Sequence, residues 1–245
     1  MSKGKGLAIL LVSAAAPCLG VSPVSPPAAW AHHGRDFLLS RTAELPHPGQ
    51  LYLIPRQDYI AVNEESEFEF EPTFLAGVTS WLAVELHGHI TKEEDVPWEY
   101  ESTAPAVQFR LSPSHHRWAL GLSAEYEVSH LDEIHDRLEV RGLLSGSMKH
   151  SRLAINIAAE RELDSGQDVE CGYAAGLRSR LTDDLDWGLE GQGTFERNSV
   201  HEGLIGFFFD VSDRLAVNAG VGTGTGDEAA PDFTSRTAVV WRLRG

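Results

Sequence analysis

Hydrophobic and polar residues alternate with a period of two along most of the chain after residue 50. In the segment that begins at Trp118, apolar residues occupy every second position through Val128, and small or acidic residues fill the positions between them. Similar segments begin at Leu82, Leu153 and Trp187. Alternation of this kind predicts β-strands with one apolar and one polar face.

The connections between the predicted strands alternate between two lengths. Short turns are predicted at Val78–Ser80, Ser112–Arg117, Lys149–Arg152, Thr182–Asp186 and Val211–Arg214. Longer acidic segments are predicted at Asn63–Glu67, Lys92–Pro97, Ser129–Arg137, Glu162–Glu170, Glu196–Gly203 and Gly224–Asp232. Short turns at one end and longer loops at the other are typical of transmembrane β-barrels. We therefore predict an all-β antiparallel transmembrane barrel over residues 50–245, with about twelve strands and about ten or fourteen as alternatives.

Aromatic residues mark the two edges of the predicted membrane-spanning band. Three pairs are spaced eight residues apart on one strand face: Trp118 with Tyr126, Trp187 with Phe195, and Phe233 with Trp241. Eight residues of a strand tilted by about 40° rise roughly 21 Å, which is close to the distance between the aromatic girdles of a barrel. We therefore predict that these six residues lie at the interfaces with membrane lipid. Pro72 and Pro105 fall inside predicted strands, where a closed barrel has no free edge for a missing donor, and a β-bulge at each is the predicted way to accommodate them.

The N-terminal residues have the features of a secretory signal. Lys3 and Lys5 precede the apolar run Leu7–Ala16, and Ala29-Trp30-Ala31 has small residues at the two positions that a signal peptidase reads. We predict a signal peptide over residues 1–31, cleaved after Ala31. Residues 32–49 are predicted to form a periplasmic N-terminal segment, which either remains a tail or folds into the lumen.

Charge and cysteine content narrow the function classes. Removal of Lys3 and Lys5 with the signal leaves 20 − 2 = 18 basic residues against 36 acids, a formal charge of 18 − 36 = −18. Nucleic acid is therefore not an expected partner. Cys171 is the single cysteine after residue 31, so neither an internal disulfide nor a cysteine metal cluster is expected. No long apolar run follows residue 31, and nothing in the sequence implies a cofactor.

The polar faces of the strands identify the residues predicted to line the lumen. They are Glu85, His87, His89, Arg110, Glu125, Glu127, Glu139, Arg141, Glu160, Arg178, Arg180, Glu190, Arg236 and Arg242. Acids and arginines that face each other across a narrow lumen are expected to pair and to leave a small polar passage. His87 and His89, roughly 7 Å apart on one strand face, form an alternative metal site that Glu85 could complete.

The signal peptide, the aromatic girdles and the final alternating strand resemble those of bacterial outer-membrane β-barrel proteins. More loosely, the chain is similar to the transporter-type barrels associated with phenol degradation. Over about residues 50–245, this resemblance implies an outer-membrane location, contact with outer-membrane lipid and insertion by the assembly machinery. It further implies a narrow channel or uptake barrel for an unknown small solute.

Two alternatives to a channel remain open. The first is a structural or metal-binding barrel without transport. The second is a barrel-borne lipid hydrolase that uses a serine, a histidine and an orienting polar group. No Gly-x-Ser-x-Gly motif occurs in the chain, so we predict that it is not an enzyme.

Overall fold

The computed structural model describes residues 36–63, 65–93, 96–113, 116–131, 135–163, 168–196, 199–226 and 230–244. The predicted signal peptide lies outside these ranges. The strands are β1 (Leu51–Val62), β2 (Glu65–Gly77), β3 (Leu82–Glu93), β4 (Glu99–Arg110), β5 (Trp118–Ser129), β6 (Arg137–Ser147), β7 (Ser151–Glu162), β8 (Glu170–Arg180), β9 (Leu185–Thr194), β10 (His201–Ser212), β11 (Leu215–Thr225) and β12 (Phe233–Arg244). Within the described ranges, no helix is long and apolar enough to cross a membrane.

The twelve strands form one closed antiparallel barrel in which each strand pairs with its neighbours in sequence. β1 closes the barrel by pairing with β12, for example at Leu53 opposite Trp241 and at Ala61 opposite Phe233. Closure pairs the backbone groups that an open sheet would leave at its edges, which a strand-built protein needs inside a bilayer. The predicted fold class and strand number are therefore confirmed.

The connections define a short-turn end and a long-loop end of the barrel. The turn between β10 and β11 comprises residues 213–214, whereas the loop between β5 and β6 at the opposite end comprises residues 130–136. One predicted long loop, Asn63–Glu67, is wrong, because β1 runs to Val62 and β2 begins at Glu65. Asn63 has a φ of 53°, in the left-handed region that asparagine tolerates and that tight hairpins require.

Prolines within the strands interrupt the hydrogen-bond ladder without shifting it. The register of β2 with β3 is the same on both sides of Pro72, since it continues from Phe70 opposite Ile90 to Thr73 opposite His87. Pro105 has the same effect on the β4–β5 pair, which continues from Thr103 opposite Val128 to Ala106 opposite Glu125. The bulges predicted at Pro72 and Pro105 are therefore wrong: a missing N–H leaves a local gap, and no extra residue is inserted.

The outward positions carry large apolar side chains that face the membrane. Leu120 is 52% exposed, Ile157 is 57% exposed and Phe207 is 51% exposed. Alternate positions on the same strands are buried, as shown by Asn156 at 1% and Phe208 at 0%. An apolar outer wall around a polar interior is the arrangement of a membrane-spanning barrel, not of a water-soluble one.

Aromatic side chains surround the barrel near both ends. The residues predicted to lie at the membrane interfaces occupy outward positions or the start of an adjacent loop: Trp118, Tyr126, Trp187, Phe195, Phe233 and Trp241. Further aromatic contacts extend both rows. Trp81 stacks on Phe109 near the short-turn end with ring centroids 6.1 Å apart. Tyr59 packs on Phe68 near the long-loop end with ring centroids 4.8 Å apart.

The outward face is expected to be intolerant of charge. An Ile157→Arg substitution near mid-membrane should lower the free energy of unfolding by about 2–4 kcal/mol, because the guanidinium would enter hydrocarbon. Ala158→Arg is the matched control, since Ala158 lines an internal cavity, and it should cost clearly less. Equilibrium urea unfolding in lipid vesicles measures both. Equal losses would show that the two faces are wrongly assigned.

Candidate functional site

The lumen is lined by polar and charged side chains at the inward positions of the strands. All the residues predicted from the alternation lie at such positions: Glu85, His87, His89, Arg110, Glu125, Glu127, Glu139, Arg141, Glu160, Arg178, Arg180, Glu190, Arg236 and Arg242. Several of them are almost completely shielded from solvent, including His87 at 3% exposure and Arg178 at 4%. A barrel of this strand number has room for more than its own wall side chains.

Residues 36–43 lie inside the barrel and fill much of its short-turn half. Every side chain from Asp36 to Ala43 is buried, although the segment belongs to no strand. Its hydrogen-bond partners lie on β4, β6, β7, β8 and β9, so the segment crosses the lumen from one side to the other. We refer to residues 36–43 as the plug. Of the two placements left open for residues 32–49, residues 36–43 lie in the lumen, whereas residues 47–49 are exposed.

Glu190 is the central anchor of the plug. Its carboxylate accepts hydrogen bonds from the backbone N–H groups of Leu38 and Leu39, both at 2.7 Å, and of Ser40 at 3.0 Å. Three successive backbone donors directed at one buried carboxylate form an anion-binding arrangement. The side chain thereby holds the middle of the plug against β9.

Further hydrogen bonds fix the second half of the plug. The Asn156 side chain pairs with the main chain of Arg41: its oxygen accepts from Arg41 N at 2.7 Å, and its amide donates to Arg41 O at 2.8 Å. Gln108 donates to the carbonyl of Thr42 at 2.8 Å, and Ala43 N donates to Ser145 Oγ at 3.1 Å. Because buried backbone groups must be paired, these wall side chains replace the partners that a strand would have supplied.

Opposite charges tie both ends of the plug to the wall. The Arg41 guanidinium lies 2.8 Å from Glu125 and 3.7 Å from Glu85. Burial opposes the charge on Arg41, but the facing carboxylates outweigh burial and hold its pKa above the ordinary value. At the other end, Asp36 lies 3.2 Å from Arg152, and Arg178 donates to the Asp36 carbonyl at 3.1 Å.

Glycines in the inner wall make room for the apolar side chains of the plug. A Cβ added to Gly176 would lie 2.6 Å from Phe37, and one added to Gly220 would lie 2.8 Å from Leu38. Leu38 and Leu39 pack in a buried apolar cluster with Leu204, Phe208 and Ala238. These glycines stand at inward positions, where a side chain is otherwise expected. They are the sequence signal that could have indicated the plug.

Inward acids are concentrated in the half of each strand nearer the long-loop end. This set, the upper acids, comprises Asp58, Glu67, Glu69, Glu71, Glu93, Glu101, Glu125, Glu127, Glu139, Glu160, Glu170 and Glu202. The inward arginines of the same half are Arg56, Arg137, Arg141 and Arg236. In the short-turn half, arginines outnumber the acids instead: Arg110, Arg152, Arg178, Arg180 and Arg242, against Glu85, Asp186, Glu190 and Asp210.

The ion pairs of the long-loop half include residues that the sequence prediction did not contain. Arg56 lies 3.3 Å from Asp58, 3.5 Å from Glu69 and 2.6 Å from Glu71. Arg236 pairs with Asp58 and lies 2.9 Å from Glu202. Each arginine is thus shared between at least two carboxylates. The sequence prediction did not contain these acids, because the alternation does not identify an inward face for β1, β2 or β10.

A cavity of about 440 Å³ occupies the long-loop half of the lumen. Its wall includes Glu139, Glu160, Glu170 and Glu202, together with Arg141 and Arg236. Asn156 lines the cavity and also bonds the plug. The plug therefore lies directly beneath this cavity, which we call the vestibule.

The two histidines proposed as metal ligands have different partners. Both ring nitrogens of His87 face carboxylates, with Nδ1 3.1 Å from Glu85 and Nε2 3.2 Å from Glu125. His89 Nδ1 lies 2.9 Å from Glu69. Among the described residues, ligand atoms of His89, Glu69 and Glu71 lie within 4.8 Å of one another, so these three residues could hold a metal ion. Arg56, at 2.6 Å from Glu71, competes with a cation for that position.

One serine–histidine contact bears on the hydrolase alternative. Ser199 Oγ lies 2.8 Å from His201 Nε2, and His201 Nδ1 lies 3.0 Å from the hydroxyl of Tyr173. Tyr173 also packs on Phe195, with ring centroids 5.4 Å apart. His201 and Tyr173 occupy outward positions near the long-loop end, so we assign this cluster to the aromatic girdle.

Comparison with known proteins identifies the fold. No family model and no curated protein matches the chain. A COG4313 outer membrane channel from Pseudomonas putida F1 has a TM-score of 0.66 at 8% identity, covering 82% of this chain and 98% of that one. The KdgM porin (TM-score 0.59, 6% identity, 78% and 98% covered) and the NanC porin (0.58, 11%, 78% and 100%) are also similar. The chain has the fold of bacterial outer-membrane β-barrels, as its apolar exterior and aromatic girdles require.

Proposed function

We propose that this outer-membrane barrel is a narrow channel for small solutes, with the plug as its principal constriction. The observation that carries the proposal is a lumen lined with charged side chains, whose long-loop half contains the vestibule and whose short-turn half is narrowed by residues 36–43. A barrel that served only as a structural element would not need a charged interior, because burying charge is unfavourable unless the charges are paired. No chemical step is part of the proposed function.

The way in which the plug is held supports transport. Its contacts are hydrogen bonds and ion pairs that water can replace, together with apolar contacts of Phe37, of Leu38 and Leu39, and of Ala43. Bonds of this type contribute about 0.5–1.5 kcal/mol each when water can substitute for them. A solute that reaches the vestibule therefore meets a segment that can be displaced without unfolding the strands. Insertion by the outer-membrane assembly machinery, with the short turns on the periplasmic side, belongs to the same proposal.

Arg178 and Arg180 provide a direct test of the constriction. Arg178 donates to Asp186 at 2.6 Å and to the Asp36 carbonyl at 3.1 Å, and its guanidinium lies 4.6 Å from the centre of the Phe208 ring. Changing both arginines to alanine removes bulk from the lumen and releases the start of the plug. We expect larger single-channel currents in planar bilayers.

The matched control for that experiment removes two arginines that do not line the lumen. Arg161 is an exposed residue of β7 outside the lumen-facing set, and Arg214 is an exposed turn residue. The R161A/R214A double variant should conduct like the unmodified protein. A large, permanently open pore in the unmodified protein would contradict the narrow channel. Absence of current in every variant would favour a structural or binding role.

A further inference from the structure

The inner wall of the barrel is electrically asymmetric along its axis. The upper acids outnumber the arginines of the same half, whereas arginines predominate among the wall charges of the short-turn half. The chain as a whole carries a net charge of −16. A solute that enters from the long-loop end therefore meets fixed negative charge first.

Pairing inside the barrel does not cancel this charge. Arg56 is surrounded by Asp58, Glu69 and Glu71 at 2.6–3.5 Å, so one positive charge is shared by three carboxylates. Arg236 is likewise shared by Asp58 and Glu202. Because Asp58 contacts both arginines, the two clusters form one group of two arginines and four carboxylates. This group keeps a net negative charge at neutral pH, where carboxylates are ordinarily ionised.

The vestibule receives the field of these clusters. Glu202 and Arg236 reach its wall, and Glu139, Glu160 and Glu170 add three more carboxylates against one further arginine, Arg141, which lies 2.6 Å from Glu139. Among the described residues, the lining therefore carries four carboxylates and two arginines. In a narrow passage with low-dielectric walls, fixed charge of one sign concentrates counter-ions and repels ions of the same sign. Screening at physiological ionic strength acts over about 8 Å, which is comparable to the width of such a cavity. The field should therefore extend across the vestibule.

We propose that the channel selects small cationic solutes, and that the selection is made by the upper acids at the vestibule. This inference rests on the proposed channel function and adds the charge class of the solute to it. The plug closes the vestibule on its short-turn side, because Asn156 lines the vestibule and also bonds the main chain of Arg41 in the plug. A solute in the vestibule is therefore in position to contact the plug.

Reversal potentials across a planar bilayer with a potassium chloride gradient test the proposal. We expect the unmodified protein to pass K⁺ several-fold more readily than Cl⁻. Spermidine, a polyvalent cation, should block the current more strongly from one side of the bilayer than from the other, because the acids are concentrated at one end. A preference for Cl⁻, or equal passage of both ions with equal block from both sides, would overturn the proposal.

Charge-neutral variants locate the selectivity. The triple variant Glu139→Gln, Glu160→Gln and Glu170→Gln should lose most of the preference for K⁺ and the sidedness of the spermidine block. The control, Asp183→Asn, Asp184→Asn and Asp213→Asn, makes the same change in net charge in turns at the short-turn end and should retain both. Equal loss in the two variants would overturn the assignment to the vestibule.

Two further results separate this proposal from the channel function itself. If the unmodified protein conducts without cation preference, the result supports the channel function and contradicts the proposed charge selectivity. If neither the unmodified protein nor a variant lacking residues 36–43 conducts, both proposals fail. The change in electrophoretic mobility on boiling shows beforehand that each variant is a folded barrel.

Discussion

Deletion of residues 36–43 is expected to raise the single-channel conductance by roughly an order of magnitude, because it removes the segment that crosses the lumen. The plug side chains are all buried within the barrel, so their removal is expected to widen the passage through the short-turn half. Planar-bilayer recordings of the variant and the unmodified protein measure the difference directly. Currents should also become steadier, since no displaceable segment of residues 36–43 would remain to interrupt them.

A control for length accompanies the deletion. Replacing residues 36–43 by glycine and serine keeps the chain length and removes the side chains of Phe37, Leu38 and Arg41 that fix the plug. This variant should also conduct more, but with fluctuating currents because a flexible segment stays in the lumen. Circular dichroism should show the same β-content in both variants. Unchanged conductance in both would mean that the plug is not the constriction.

The second large effect is expected at Glu190. A Glu190→Ala substitution leaves the buried N–H groups of Leu38, Leu39 and Ser40 without their acceptor. Each unsatisfied buried donor costs about 1–3 kcal/mol, and every 1.4 kcal/mol corresponds to about a tenfold change in equilibrium. The plug should therefore leave its bound position at least about tenfold more often.

Thiol labelling measures that change without relying on conductance. Cys171 is exposed and is first changed to serine, after which Ser40→Cys reports on the plug because Ser40 is 2% exposed. Labelling of the thiol introduced at position 40 should be slow in the parent protein that carries only Cys171→Ser and Ser40→Cys. It should be fast when Glu190→Ala is added and intermediate when Glu190→Gln is added, because the glutamine amide oxygen still accepts hydrogen bonds. Glu202→Ala is the matched control, since Glu202 accepts hydrogen bonds from Gln192 and Arg236 and none of these residues belongs to the plug. Equally slow labelling in all four proteins would refute the anchoring role of Glu190.

The alternation of residues along the strands was sufficient to predict the barrel, its strand number and the inward orientation of most lumen residues. Trp118–Val128 illustrates why: successive side chains of a strand point to opposite faces, so the sequence pattern is the structural pattern. The sequence does not indicate the two-residue β1–β2 turn, because acids such as Glu65 and Glu67 are typical of loops. They lie in a strand whose inward face is itself acidic.

The plug could not be derived from periodicity, because residues 36–43 have no repeat and are held by partners distant in the sequence. Glu190, Asn156 and Gln108 were recognisable only as polar or inward residues until the closed barrel brought them around the segment. The possible metal ligands illustrate the same point. Glu69 and His89 are 20 residues apart in the sequence, and the pairing of β2 with β3 brings their side chains together. The sequence alone determined the barrel because strand periodicity is local. Only the tertiary structure decided what fills the lumen, because those contacts depend on closure of the sheet.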